Sequence, residues 1–373
     1  MTTLHQLAEL GQSVWIDYID RPLLETGKLK SLIEQGLRGM TSNPTIFHQA
    51  ISGSTDYDKK IVQLKEAGKS TFEIYDELTI KDIQDATDIF KPVYQQTAGL
   101  DGYVSLEINP QIANDTQASI EEGKRLFQNV NRPNVMIKVP ATEAGFPVIE
   151  ELLANHVNVN VTLIFSLGQY TKTVQAYFKG LERLYEAGGD LSKIRSVASV
   201  FVSRMDTMVD KILDEKISQT SGTDKIRLEA LKGKAAVANC RLIYEKSKEL
   251  FAQERFRQLV KHKAHIQRVL WGSTSTKNPA YSDVKYVEEL ILKQTVNTIP
   301  ESTLNAFLDH GRVKEATAST REARAVIDSL KGFGIDMDQV CAKLLEDGVA
   351  AFEKSFVALM EAIEKKAAQL CTK

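Results

Sequence analysis

The stretch Asn134-Val135-Met136-Ile137-Lys138-Val139-Pro140-Ala141-Thr142 decides how the chain is read. It is a continuous apolar run carrying one charge and stopped by a proline. An apolar run of this length, bounded by a breaker, predicts a strand covered on both faces. Lys138 must then point into an interior or a cleft, where desolvation disfavours its charged form. A neutral amine in a pocket is the nucleophile that forms Schiff bases with carbonyls. The alternative is a strand-end lysine that snorkels to solvent. The neighbours of Lys138 in the sequence decide between the two.

Working outward, similar runs recur along the chain. They are Ser13 to Asp17, Gly39 to Ser42 (stopped by Asn43-Pro44), Tyr103 to Ile108, Val157 to Ile164, Val197 to Val202, Ile266 to Trp271 and Thr295 to Ile299. With Val135 to Val139 they make eight. Helical stripes lie between them. Leu29, Leu32 and Ile33 form one, closed by Gly36. Ile149, Leu152 and Leu153 form another. Tyr170, Val174, Tyr177, Phe178 and Leu181 form a third, with Ser166 and Gln169 as a capping box at its start. Strands alternating with helices imply parallel pairing through crossovers. Eight of them predict a closed α/β (β/α)8 TIM barrel rather than an open doubly wound sheet. No Gly-x-Gly-x-x-Gly follows the first strand, which weakens a dinucleotide-binding reading.

Two connections are long, near residues 48–100 and 205–260, and read as helical insertions because neither carries strands of its own. The polar stretch Ser218 to Asp224 reads as a surface turn within the second. The tail from Asp338 to Leu370 reads as helical, with Phe352, Phe356, Leu359 and Ile363 on one face packed against the barrel. Length alone suggests two domains, but α/β barrels of about 200 to over 400 residues fold as one. Residues 1–373 are therefore read as a single domain.

The chain is 43% hydrophobic and 26% charged, with a formal net charge of -2, an ordinary globular balance. It carries no clustered basic signature for nucleic acid. Cys240, Cys341 and Cys371 are scattered, and the histidines lack metal-ligand spacing, so neither a disulfide framework nor a metal site is expected. His262 and His265, beside Lys261 and Lys263, read as a solvated face. The opening residues Met1 to Gln6 lack a basic region followed by an apolar core, and no apolar run could span a bilayer. A cytoplasmic enzyme without a membrane partner is the expectation; a homo-oligomer is left open. Gly68-Lys69-Ser70 is set aside as a phosphate loop, because Gln63 stands where that motif needs its first glycine.

Barrel enzymes place their chemistry at the C-terminal ends of the strands. Those ends carry Asp17, Thr41, Asn43, Glu107, Lys138, Asn160, Thr162, Ser199, Arg204, the Thr274 to Lys277 loop and Asn297. Each alone could be a satisfied structural polar group. Their recurrence at one end of successive strands points instead to a site.

Several segments resemble the transaldolase family: Val14-Trp15-Ile16-Asp17, Thr41-Ser42-Asn43-Pro44-Thr45-Ile46-Phe47, Val104-Ser105-Leu106-Glu107-Ile108 and Met136 to Thr142. So do Asn158 to Ser166 and Thr295-Val296-Asn297-Thr298-Ile299-Pro300. The match spans nearly the whole chain in order, and the length resembles the family's longer bacterial branch. The resemblance implies a class I aldolase-type barrel acting on sugar phosphates with no metal or organic cofactor. It implies transfer of a dihydroxyacetone unit between sedoheptulose 7-phosphate/glyceraldehyde 3-phosphate and erythrose 4-phosphate/fructose 6-phosphate, in the non-oxidative pentose phosphate pathway. Lys138 matches the Schiff-base lysine. Glu107 and Thr162 match the pair that holds a water, with Glu107 relaying protons, and Asp17 matches the base that takes the C4 hydroxyl proton. Thr41, Asn43, Asn160, Ser199 and Phe201 fall in the substrate-binding set, and Arg204 matches a phosphate-binding arginine. Where many relatives carry a Ser and an Arg, this chain has Thr274 to Lys277. Lys277 could supply that charge as a point cation, and whether Thr274 or Ser275 helps stays open. Two other readings are net cleavage, as in fructose 6-phosphate aldolases, and a sugar-phosphate sensor without turnover, against which Lys138, Glu107 and Asp17 argue.

Overall fold

The computed structural model describes residues 2–316 and 319–371. All eight predicted strands form: β1 (Gln12–Asp17), β2 (Gly39–Thr41), β3 (Val104–Glu107), β4 (Val135–Pro140), β5 (Val159–Ile164), β6 (Ser196–Phe201), β7 (Arg268–Gly272) and β8 (Thr295–Ile299). They pair in parallel in chain order, and β1 closes on β8 to complete the barrel. The closed (β/α)8 barrel expected from the alternation is therefore the observed fold.

The strands are buried almost throughout because each is covered twice, by helices outside and by its partners inside. Inside, Trp15, Tyr103, Met136, Val197, Leu270 and Val296 form a plug distinct from the outer core. It fills the middle of the barrel, as layered side chains do in this architecture. Gly39 makes room for it: a Cβ there would stand 2.6 Å from the Trp15 ring atoms Cδ2 and Cε2.

Local signals for the helices hold as well. Gly36 has φ +109. It lets Leu37 N–H donate to the Leu32 carbonyl (2.9 Å) and Gly36 N–H to that of Ile33 (3.0 Å), the paired bonds that end a helix. Ser166 and Gln169 form the reciprocal capping box. The polar stretch from Ser218 differs from expectation. Ser218 still ends one helix and Gly222–Glu229 is already the next, so the turn shrinks to residues 219–221. Asp224 in that helix's first turn suits its positive end.

The first insertion is the helices Pro44–Gly53, Asp58–Glu66 and Thr71–Gln96. The second is Ser203–Ser218, Gly222–Glu229, Ala235–Phe251 and Glu254–Lys261. Neither holds a strand among its described residues. The helix Met337–Cys371 buries Val340, Leu344, Gly348, Phe352, Phe356, Leu359 and Ile363 along one face. It lies on the first insertion, on Ser203–Ser218 and against β5. Polar ties fix its seat: Lys366 Nζ to Asp58 Oδ1 (2.6 Å) and Thr45 Oγ1 to Ser355 Oγ (2.8 Å). One buried apolar cluster runs from Leu4 to Ala367, and on that ground we propose that the chain is a single domain.

Gly39→Ala should test the plug. The added methyl must displace a fully buried indole, and overpacking of this kind costs about 1–3 kcal/mol. The urea midpoint should fall with the slope unchanged. A midpoint equal to that of the parent protein would show that Trp15 moves aside freely.

Candidate active site

Alternation along the strands sends every second residue into the barrel. On β1 these are Ser13, Trp15 and Asp17, and the uppermost stands in register with Thr41 of β2. Glu107 of β3 pairs in register with Lys138 of β4, which in turn pairs with Asn160 of β5. The C-terminal mouth thus receives two carboxylates and an amine from separate strands. The cavity there is lined by Asp17, Thr41, Asn43, Lys138, Thr162, Ser199 and Phe201, together with Gly272, Ser273 and Thr298.

Lys138 does not snorkel. It is 4% exposed, and its Nζ donates to the Ser42 carbonyl at 2.9 Å and to Glu107 Oε2 at 3.1 Å. The expectation of an interior lysine holds, but a carboxylate accompanies the amine. Burial pushes the Glu107 carboxyl above its ordinary range, and the Lys138 charge opposes that shift. Beneath the pair runs a bonded polar layer. Ser199 Oγ donates to Asn160 Oδ1 (2.6 Å), Asn160 Nδ2 to Ser105 Oγ (3.0 Å), and Ser42 Oγ to the Ser105 carbonyl (2.8 Å). Asn160 is held on both ends of its amide, so its orientation is determined.

Asp17 faces the cavity from the other wall, and Thr41 Oγ1 donates to its Oδ1 at 2.7 Å. Thr41 also meets Thr298 Oγ1 at 2.6 Å. Because Thr41 spends its proton on Asp17, Thr298 must be the donor in that contact. Burial raises the Asp17 pKa. Lys138, the Thr41 bond, Arg204 and Lys277 pull the other way, in that order. Thr162 Oγ1 is buried and has no hydrogen-bond partner among the described residues. Next to it Leu163 has φ +58, where the β5–β6 register slips. Left-handed backbone at a leucine is strained. Gln169 holds it, its Nε2 donating to the carbonyls of Leu163 (3.2 Å) and Ala141 (3.0 Å).

At the mouth, Phe201 is 8% exposed and packs on Phe165 at 5.5 Å between centroids. The Arg204 guanidinium stacks over the Phe201 ring (5.3 Å) and has no ion pair among the described residues. Burial draws it below its usual range, countered by Asp17 and Asp347. Asn43 Oδ1 caps the helix Pro44–Gly53 through Ile46 N–H (3.1 Å). That bond uses its carbonyl and leaves its amide for the cavity.

Three expectations need correction. Asn297 does not enter the site. Its neighbours Val296 and Thr298 point inward, so it faces the outer layer, its amide without a hydrogen bond among the described residues. Lys277 does not line the cavity. It is exposed, donates to Ser275 Oγ (2.8 Å) and faces a neighbouring hollow with Asp206, Asp210 and Asp214. His262 is solvated, stacked on Tyr185, but His265 is half-buried at the opposite end of the barrel. Of the loop hydroxyls, Thr274 Oγ1 is committed to the Thr298 carbonyl (3.2 Å).

Sequence reasoning missed Thr298, Ser273 and Phe352. Thr298 is one step from the asparagine that drew attention, and it is the register with the inward-facing Trp15 that turns it to the cavity. Phe352 carries no local signal. The C-terminal helix brings it over Lys138, 5.8 Å from Nζ to the ring centre, and with Val349 it closes the hollow beside Glu107. Among the described residues, no group of three His, Cys, Asp or Glu side chains is placed to hold a metal.

The family model described as transaldolase/fructose-6-phosphate aldolase matches residues 14–363. The chain belongs to that family. A protein named transaldolase from Trichodesmium erythraeum is 45% identical over 99% of both chains. One named transaldolase 2 from a Nostoc species is 45% identical over 97% of both. A transaldolase from Saccharopolyspora erythraea is 44% identical over 98% of this chain and 99% of its own. Membership in this transaldolase/aldolase family agrees with a lysine and two carboxylates gathered on three strands of one barrel.

The Asp17 environment yields a direct test. Its carboxyl should titrate above the ordinary aspartate value, because burial outweighs the nearby cations. Thr41→Val removes a donor to the ionised form, so it should push the midpoint higher still. Carboxyl-carbon NMR reads both values. A downward move in the variant would mean that Thr41 donates elsewhere.

Proposed function

We propose that this protein is a transaldolase that moves a dihydroxyacetone unit from fructose 6-phosphate or sedoheptulose 7-phosphate to an aldose phosphate. One observation carries the reading. The Lys138 amine is hydrogen-bonded to the buried Glu107 at 3.1 Å, on the floor of a cavity whose far wall holds Asp17.

Schiff-base chemistry uses these groups in turn. Glu107 accepts a proton from the amine, and Nζ adds to the ketose carbonyl to give a carbinolamine. Glu107 returns a proton to the departing hydroxyl, water leaves and an iminium remains. The Thr162 hydroxyl, without a hydrogen bond among the described residues, steadies that water. Asp17 then takes the C4 hydroxyl proton. The C3–C4 bond breaks, the aldose phosphate leaves, and the electron pair moves into an enamine on Nζ. Imine formation and cleavage thus have separate bases, as acid–base catalysis at two atoms requires. Asn43, Asn160 and Ser199 hold the hydroxyls of the retained unit, and the unpaired Arg204 takes the phosphate. Transfer is the reverse sequence with a new aldehyde.

Net cleavage would need a proton delivered to the enamine carbon in place of that aldehyde. Phe201 lines the cavity with an apolar ring, which shields the enamine from water and supports transfer. A cytoplasmic location belongs to the same proposal, as does any homo-oligomer.

Trapping tests the covalent step. Fructose 6-phosphate with borohydride should fix a reduced three-carbon adduct on Lys138, detected by mass spectrometry. Lys138→Arg should abolish it, since guanidinium stays protonated. Asp17→Asn should still trap the intact sugar while cleavage falls about 10²-fold or more. An adduct on another lysine refutes the assignment, and loss of all trapping in Asp17→Asn reverses the roles of the carboxylates.

Acceptor dependence tests the reaction type. Fructose 6-phosphate alone should release glyceraldehyde 3-phosphate slowly at most. Erythrose 4-phosphate should make that release fast, with equimolar sedoheptulose 7-phosphate. Rapid free dihydroxyacetone without an acceptor would leave an aldolase.

A further inference from the structure

The opposite end of the barrel holds a larger cavity, about 780 Å³, within the usual size of small-molecule sites. It lies under the strand starts, walled by residues such as Ser13, Ser196 and Arg268, and on one side by the apolar Phe256, Val260 and Ile266. Its cations are Arg38, Arg195 and Arg268, with His265 beside them. Asp101 is the only carboxylate among its described lining residues.

That carboxylate is fully used. Asp101 Oδ1 accepts from Arg268 Nη2 at 2.7 Å and from Trp15 Nε1 at 3.4 Å, and Oδ2 accepts from Ser13 Oγ at 2.7 Å. Arg268 is thereby neutralised, and the other two arginines are not. Arg195 donates only to carbonyls: those of Ser192 (2.7 Å) and Ile194 (3.0 Å) from Nη1, and that of Ala98 (3.3 Å) from Nη2. The partly buried Arg38 side chain has neither a hydrogen bond nor an ion pair among the described residues. Two guanidinium groups without a carboxylate partner among the described residues thus belong to the wall of one half-open cavity, where an anion would meet donors from both. Forked guanidinium donors suit the oxygens of a phosphate, and the apolar wall suits a small organic body beside it.

We propose that the N-terminal mouth of the barrel is a second binding site, specific for a phosphorylated metabolite gripped by Arg38 and Arg195. It is separate in space from the Lys138 site, with the apolar plug of Trp15, Met136, Val197 and Leu270 between them. A carboxylate ligand shares part of the chemistry, and the test distinguishes the two.

The experiment is calorimetric titration of the full chain with inorganic pyrophosphate at fixed ionic strength. It is repeated in Arg204→Ala, which removes a guanidinium that has no ion pair among the described residues at the other mouth. A saturable site should persist in Arg204→Ala and weaken about tenfold or more in Arg38→Gln, the scale of one lost charge-assisted contact. Arg38→Gln breaks no side-chain bond, and an unchanged melting curve without ligand confirms its fold. Absence of saturable binding in Arg204→Ala, or binding indifferent to Arg38→Gln, overturns the proposal. Citrate that binds at this site where pyrophosphate does not overturns the phosphate assignment. None of these outcomes depends on whether Lys138 forms an imine.

Discussion

Everything at the C-terminal mouth depends on keeping the Lys138 amine and the Glu107 carboxylate together out of water. The two side chains are 6% and 4% exposed and 3.1 Å apart. Removing one partner of such a pair strands the other at a cost of about 3–5 kcal/mol. The barrel therefore has to supply both at once, and cross-strand register does so. Glu107 and Lys138 stand opposite each other on neighbouring parallel strands, so one shared register delivers the pair. The remaining acceptor for the amine is backbone, the Ser42 carbonyl just beyond β2. That carbonyl is held in turn because Ser42 Oγ is bonded to β3.

The fold was legible for the same physical reason. Strands buried on both faces carry long apolar runs, which makes β4 and β5 stand out without any alternation to decode. Site residues were legible where they interrupt such a run: Lys138, Glu107, Asn160 and Thr162 are all polar breaks in apolar strands. Parity is the point where reading from sequence fails. Asn297 and Thr298 are both polar and adjacent, and only the register with Trp15 on β1 shows which one points inward. The direction Lys277 faces was illegible for another reason. A lysine on a loop has no periodicity to fix its direction, and the aspartates of Ser203–Ser218 give it an alternative field to face.

Contacts between distant segments were not legible at all. Phe352 sits 214 residues from Lys138 by subtraction of their numbers. Its place on an apolar helix face says only that it is buried. The structure shows that it is buried against the amine, so the helix that completes the core also screens the nucleophile from solvent. Gly348, one turn earlier, is small for a related reason. A Cβ there would come within 3.0 Å of Leu163, the strained residue beside Thr162. Core packing and site geometry are the same contacts at this point, and a change made for one is felt by the other.

The two ends of the barrel share one element as well. Trp15 fills the central plug while its Nε1 reaches down to Asp101, in the network that neutralises Arg268. The next inward residue on its strand is Asp17. Strand rise fixes that step at about 6–7 Å, and the indole cannot shift without meeting Gly39 on one side or Tyr103 on the other. The carboxylate at the top therefore owes its position to packing and charge pairing at the bottom, well away from any substrate. This is how a closed barrel holds a polar site steady: the polar rims are tied to a close-packed apolar middle.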